Sequence, residues 1–374
     1  MKNVLIYCPH IAGHRLEYIN HLYKGACDRK QNAFIFAVEK NFHNCKSIMD
    51  WPQSENIDIV TIEDYIIKKS KGNILRQAYY KCKGLGTYTK RYNPDEVIVL
   101  DMIEYVPFLP LFVSVPVKGI IYRVITYEWK TESIFRRAVD YLKYWTMAYF
   151  NVFQSVYMLN DKQSVNILNE KYHTSCFKYL PDPVVPITRV ESIDIRGKYN
   201  ISPPKTILLH PGGMLRYKGT LEILKAINIM SDDVLSNYVF IFAGRITDSI
   251  KNEFNELVYT IGDRANIIIE DGFFPFEVLG AFIKNSDWIL IPYKTKSQSS
   301  GILGHAAYFQ KPVIGVEDSL IGNIIKEYNL GVCIEKSNAE SIKKNLEHLP
   351  KLSIKESGYV ESHSIEMFNG HILG

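Results

Sequence analysis

The stretch Ser286 to Val316, SDWILIPYKTKSQSSGILGHAAYFQKPVIGV, decides the fold. It opens with a short apolar strand, Trp288 to Pro292, preceded by Asp287. A polar loop follows, Lys294 to Ser300, without one large apolar residue. Gly301 to Phe309 is then apolar at helical spacing, Lys311-Pro312 stops the helix, and Val313 to Val316 forms a second strand. Strand, loop, helix and strand at this length make a βαβ unit of a parallel sheet. The loop brings Ser297, Ser299 and Ser300 to the helix start, where the first N–H groups have no internal partner and the helix end is positive. Two readings stand: an anion site made by Ser299, Ser300 and Gly301, or a serine acting simply as N-cap.

Upstream, the same logic recurs. The strand Thr206 to His210 runs into Pro211-Gly212-Gly213-Met214-Leu215-Arg216-Tyr217-Lys218-Gly219, and a helix is predicted over Thr220 to Met230. Two glycines, two cations and a helix start suit a phosphate cradle, because backbone can approach closely and Lys218 brings charge. The GxxxxGK[ST] spacing is missing, so this is not a Walker A loop. Strands are expected at Tyr238 to Ala243, ending in Gly244-Arg245, and at Ile267 to Ile269, before the turn Asp271 to Pro275 that carries Phe274.

The first half reads as another α/β domain. Lys2 to Pro9 is a buried first strand, too short for a signal sequence, and the loop with Gly13 leads into a helix. Such a loop lies where ligands bind in open α/β sheets, though Gly13 serves a tight turn equally well and GxGxxG is absent. Further strands are expected at Ala33 to Val38, Ile57 to Ile62, Glu96 to Leu100, Gly119 to Tyr122 and Val152 to Leu159. Asp101 and Glu104 follow one of these, and Arg123, Tyr127 and Glu128 another, positions that line a ligand site in this fold. The helix Ser133 to Phe150 places Ile134, Phe135, Ala138, Leu142, Trp145 and Tyr149 on one face. That face is expected in the core, with an interfacial helix as the alternative.

Length sets the frame: 374 residues suit two domains. The boundaries expected are 1–185, a proline-rich linker at 186–203, 204–355, and a C-terminal helix in 356–374 that packs back on the first domain. Hydrophobic residues make up 47% and charged residues 22%, a globular balance, and no run approaches the length of a membrane span. The six cysteines show neither CxxC nor metal-ligand spacing, which suits a reducing compartment. A cytoplasmic protein, at most peripheral on the inner face of the membrane, is the expectation. The net charge of +4 does not by itself imply nucleic acid. Between Lys68 and Arg91, however, stand eight basic residues and no acid, interleaved with Tyr79, Tyr80 and Tyr88. No nucleic-acid motif accompanies them. An anionic membrane surface or a plain solvated face remains.

The succession Gly212 to Gly219, Phe242-Ala243-Gly244, Gly272-Phe273, Asp287 to Pro292 and His305 to Val316 resembles the nucleotide-binding domain of family 4 glycosyltransferases. The likeness covers roughly residues 200 to 335. It implies the GT-B fold, two Rossmann-like doubly wound domains facing across a cleft. It also implies transfer of a sugar from a nucleotide-diphosphate donor to a glycan or lipid-linked acceptor, with retention, without metal and without cofactor, as in surface-polysaccharide synthesis. In that family an Arg and a Lys hold the donor diphosphate. Lys218 matches the Lys, while Gly213 occupies the Arg position and Arg216 stands nearby, so Lys218 and Arg216 are the catalytic candidates. The family's two glutamates fall on Ser297 and His305, which assigns the donor ribose to a His305 ring nitrogen. Gly13, Gly212, Gly213, Arg245, Phe274, Ser299, Ser300, Gly301 and His305 are the expected donor contacts. A nucleotide-sugar epimerase or phosphorylase, or an inactive scaffold of the same fold, are the alternatives. No carboxylate pair suggests the epimerase, and loss of both glutamates favours the scaffold.

Overall fold

The computed structural model describes residues 1–11, 14–44, 51–69, 73–123, 125–127, 133–355 and 357–374. The chain forms two compact units, Met1–Asp182 with Ile365–Gly374, and Pro183–Ser364.

The first unit runs β1 (Lys2–Cys8), α1 (His14–Cys27), β2 (Asn32–Val38), β3 (Ile57–Thr61), α2 (Asp64–Lys69), α3 (Ile74–Tyr92), β4 (Glu96–Val99), β5 (Val117–Ile121), α4 (Ile134–Tyr149), β6 (Phe153–Leu159), α5 (Lys162–Tyr172) and β7 (Phe177–Leu180). The seven strands are parallel in the order β3-β2-β1-β4-β5-β6-β7. Parallel strands are covered on both faces and so read as continuous apolar runs. In β1, Leu5 and Tyr7 enter one core, with α2, α3, α4 and α5, while Val4, Ile6 and Cys8 enter the other, with α1.

The second unit holds α6 (Ile195–Lys198), β8 (Thr206–Pro211), α7 (Thr220–Ile229), α8 (Asp232–Leu235), β9 (Tyr238–Ala243), α9 (Asp248–Ile261), β10 (Asn266–Glu270), α10 (Phe276–Lys284), β11 (Trp288–Leu290), α11 (Gly301–Tyr308), β12 (Val313–Val316), α12 (Leu320–Tyr328), β13 (Gly331–Ile334), α13 (Ala339–Glu347) and α14 (Tyr359–Ser362). Its six parallel strands follow the order β10-β9-β8-β11-β12-β13. Helices α7, α9 and α13 share one core beneath this sheet. Residues 186–203, read as a linker, bury Ile187 and Ile195 and include α6, because those two side chains find apolar cover within the second unit.

The chain then returns to the first unit as α15 (Ile365–Leu373). Phe368, Ile372 and Leu373 complete the core beneath α1, and Lys118 Nζ donates to the Ile372 carbonyl at 3.2 Å.

Two expectations need correction. Helix α4 turns Asp140, Tyr144, Thr146 and Met147 inward and its long apolar stripe outward. Asp140, Tyr144 and Met147 are spaced four and three apart on the opposite side of the same helix, and Tyr144 and Met147 fill the core there. Within 68–91, Lys81 is no surface charge: it is buried and paired with Glu104 at 3.0 Å. Among the described residues no helix is long and apolar enough to cross a membrane.

Candidate functional site

In each sheet, strand order reverses beside the first strand of the unit, next to β1 and next to β8, and ligands of doubly wound folds bind at the carboxyl ends there. In the second unit the loop after β8 is shaped by backbone that tolerates no side chain. Gly244, after β9, lies so close that a methyl on it would stand 1.9 Å from the Gly212 carbonyl oxygen. Gly212 itself has φ +85°, a left-handed conformation that suits glycine. Gly219, with φ +77°, presses against the Pro292 carbonyl after β11, and Lys294 N–H donates to the Tyr217 carbonyl at 2.7 Å. The loops after β8 and β11 are thereby fixed to each other.

His210, the next-to-last residue of β8, reinforces this joint. Its Nδ1 lies 2.8 Å from the Leu290 carbonyl and its Nε2 lies 2.9 Å from Thr220 Oγ1. Burial, together with the nearby Lys218 charge, lowers its pKa to about 4. The ring is therefore neutral at pH 7, donating from Nδ1 to the carbonyl and accepting the Thr220 hydroxyl at Nε2. One side chain thus ties β8, β11 and the start of α7.

Lys218 ends the loop. A methyl group on Gly212 would sit 3.6 Å from Lys218 Nζ and 3.8 Å from Ile302 Cδ1, so the ammonium reaches across the glycine toward the start of α11. It forms no ion pair among the described residues and lies 5.6 Å from the Tyr293 ring. Burial holds its pKa below the ordinary lysine value, against a smaller opposing effect of Tyr217. Opposite it, Ser300 is the N-cap residue of α11, yet its side chain makes no capping bond. Its hydroxyl instead lies 3.2 Å from the Tyr293 hydroxyl, whose pKa burial pushes up to about 12. Gly301 borders open space, with nothing within 4 Å of an added methyl. A desolvated cation and a helix start whose N-cap side chain makes no capping bond thus both lie beside Tyr293, which is the chemistry of an anion site.

In the first unit the corresponding edge is charged differently. Arg15 of α1 donates to Asp101 at 2.5 Å and to Glu104 at 3.2 Å, and Lys81 pairs with the other oxygen of Glu104. Burial, with the Glu104 charge, raises the Asp101 pKa to about 6 against the pull of Arg15. Burial works against the Arg15 charge too, but Glu104 and Asp101 more than restore it. Cations and carboxylates here already satisfy one another.

No family model and no curated protein sequence matches the chain. Solved structures do. WaaG, a glycosyltransferase involved in lipopolysaccharide biosynthesis, superposes with TM-score 0.66 at 16% identity, covering 100% of both chains. The UDP-forming α,α-trehalose-phosphate synthase of Burkholderia xenovorans, in complex with glucose-6-phosphate, gives 0.70 at 8%, covering 100% of this chain and 99% of that one. Anabaena HepE in complex with UDP-glucose gives 0.63 at 12%, covering 100% and 98%. The fold is GT-B.

Against that GT-B frame, the structure brings together Lys218, Gly212, Gly213, Ser300, Gly301 and the first turn of α11. Gly13 lies outside the described residues, as does Glu128. Arg216 is directed elsewhere: it pairs with Glu253 of α9 at 2.9 Å and is 56% exposed. Arg245 is exposed, and its backbone carbonyl accepts from Met214 N–H at 2.8 Å, so it borders the same loop. Phe274 packs against Phe282, ring centroids 5.7 Å apart and tilted by 52°, beside Gly272. His305 is buried in α11, its ring centroid 5.5 Å from that of Phe276. Ser297 is buried, and Ser299 is half-buried. Sequence reasoning passed over His210 and Tyr293. A histidine near the end of an otherwise apolar strand was the available signal for the first; the second left none.

Proposed function

We propose that the protein is a glycosyltransferase that binds the diphosphate of a nucleotide-sugar donor between Lys218 and the start of α11. The observation that carries this is the Lys218 ammonium, unpaired with any described carboxylate, beside the start of that helix, where the Ser300 side chain makes no capping bond. As the sugar–phosphate bond breaks, negative charge grows on the leaving diphosphate, and a preformed cation with aligned N–H groups stabilises it. Gly212 and Gly213 let phosphate oxygens approach the backbone, and Arg245 adds charge at the rim. His305 contacts the ribose side of the donor, and Phe274 borders the same strand-end region.

With the leaving-group charge carried by Lys218 and the helix start, the transfer proposed is metal-independent, cofactor-free and retaining, as the family resemblance implies. HepE with UDP-glucose and the UDP-forming synthase support a nucleotide-diphosphate sugar as donor. WaaG supports a glycan or lipid-linked acceptor in surface-polysaccharide assembly. A cytoplasmic enzyme peripheral to an anionic membrane follows, and the exposed Lys68, Arg76, Lys83 and Lys90 are the cations of 68–91 suited to it.

Thermal melting with UDP, GDP, ADP and their sugars tests the reading. A diphosphate at about 100 times its Kd should stabilise the protein by about 2.7 kcal/mol, and Lys218→Ala should remove the shift. No shift with any nucleotide would overturn it. Binding without donor turnover, in the presence of glycan acceptors, would leave an inactive scaffold.

A further inference from the structure

A buried tyrosine underlies both halves of the anion site. Tyr293 follows β11 and Pro292 and is 3% exposed. Its backbone is tied on either side. The Tyr293 N–H donates to the Ile291 carbonyl at 2.8 Å, and the next residue's N–H is held by the Tyr217 carbonyl. The Tyr217 ring meets the Tyr293 ring edge to face, centroids 6.3 Å apart and planes at 84°. Lys218 Nζ stands 5.6 Å from the Tyr293 centroid, within the range where a ring face attracts a cation. Taking a phenol hydroxyl out of water is unfavourable unless it finds a partner. The partner here is Ser300, 3.2 Å away.

That partner is taken from the helix. Ser300 is the N-cap residue of α11 and has the extended backbone, φ −141° and ψ 114°, from which a serine ordinarily caps. Ser319 shows the ordinary outcome at the same position of α12. With φ −154° and ψ 166°, its hydroxyl accepts from the Gly322 N–H at 3.0 Å. Ser133 caps α4 in the same way, accepting from the Arg136 N–H at 3.4 Å. Ser300 makes no such bond and lies against the phenol instead. A serine hydroxyl on the first turn would occupy N–H groups that an incoming anion needs.

We propose that Tyr293 is a positioning residue for the donor diphosphate: its hydroxyl keeps the Ser300 side chain off the start of α11, and its ring face holds the Lys218 ammonium beside it. The first N–H groups of the helix are thereby left to phosphate oxygens, and the cation is set where it meets the same oxygens. Tyr293 acts through Ser300 and Lys218 rather than on the donor itself. Burial pushes its pKa up to about 12, against a smaller effect of Ser300, so the phenol keeps its proton across the neutral range and the hydrogen bond persists there. The identity of the anion rests on the proposed function; the diversion of Ser300 does not.

Tyr293→Phe keeps the ring and removes only the hydroxyl, so Ser300 becomes free to cap α11. In the ligand-free protein, amide hydrogen exchange at Ile302 and Leu303 should then slow by about fivefold, the worth of one serine cap. UDP, GDP and ADP are titrated into wild type and variants by calorimetry, with melting temperatures close to wild type confirming folded protein. The Kd of a diphosphate that binds wild type should rise about fivefold in Tyr293→Phe. In a Ser300→Ala background the same substitution should cost nothing, since no hydroxyl remains to compete. Tyr293→Leu, which also removes the ring beneath Lys218, should bind more weakly than Tyr293→Phe. Exchange or Kd unchanged in Tyr293→Phe overturns the proposal. A loss that persists in the Ser300→Ala background overturns it too, by making the hydroxyl a packing group, and equal binding by the Leu and Phe variants overturns the part played by the ring. Wild type that binds none of these diphosphates overturns the proposed function, while the exchange comparison, made without ligand, still decides whether Tyr293 holds Ser300 off the helix.

Discussion

At the carboxyl end of β8 a lysine ammonium stands without a carboxylate partner among the described residues, whereas beside β1 an arginine and a lysine are already held by Asp101 and Glu104. Both edges belong to parallel sheets with the same order around their first strand. Architecture therefore does not set what each edge can bind; local neutralisation does. An uncompensated, half-buried cation favours an anion, while a self-compensated network offers hydrogen bonds to a neutral, hydroxyl-rich ligand without demanding charge.

The largest expected effect breaks the first half of that contrast. Lys218→Ala should lower kcat for sugar transfer by about 10²-fold or more, the scale of losing a preformed charge stabiliser. Turnover close to wild type would mean the helix start suffices alone.

The second edge is probed by pH. Asp101 titrates near 6 in the folded protein, above its ordinary value of about 3.9. Between those values the folded state holds more protons than the unfolded one, so stability falls as pH rises from about 4 to about 6, by on the order of 2 kcal/mol. Urea melts across this range should show the slope in wild type and lose it in Asp101→Asn. An unchanged slope in that variant would assign the proton elsewhere.

His305→Ala sharpens the donor side further. Donor KM should rise about tenfold while kcat changes less, as expected for a group that binds both ground and transition states. A variant that aggregates instead would make His305 a packing residue against Phe276. The smallest effect is expected at Arg216→Ala, with kcat within about twofold of wild type, because its guanidinium is engaged by Glu253 on the exposed side. A drop as large as that of Lys218→Ala would require this pair to open when donor binds.

Legibility followed burial. The strands Tyr238–Ala243 and Val313–Val316 were readable to the residue, since a central parallel strand is one uninterrupted apolar run with polar neighbours. Strands β7 and β13 were missed because each is four residues long and only partly buried, so neither contrasts with its surroundings. Helix α4 misled for the opposite reason. It has apolar residues on two sides, and periodicity reports that a stripe exists without reporting which stripe meets the core. Within the candidate site the glycine-and-lysine loop from Gly212 to Lys218 was legible as a loop because its pattern is local. The diversion of Arg216 was not, since its partner Glu253 lies on a helix beyond the next strand.

The return of α15 to the first unit means that the chain passes between the units twice, and no single cut separates them. A fragment ending at residue 182 would lack Phe368, Ile372 and Leu373, each worth roughly 2 kcal/mol of burial. That sum rivals the whole stability of an ordinary domain. Tyr18, whose ring packs against Phe368 with centroids 5.0 Å apart, would lose that cover. Dissecting this protein into halves would therefore require supplying the last ten residues back, as a separate peptide or as a tail fused after Asp182, before the first half could be studied on its own.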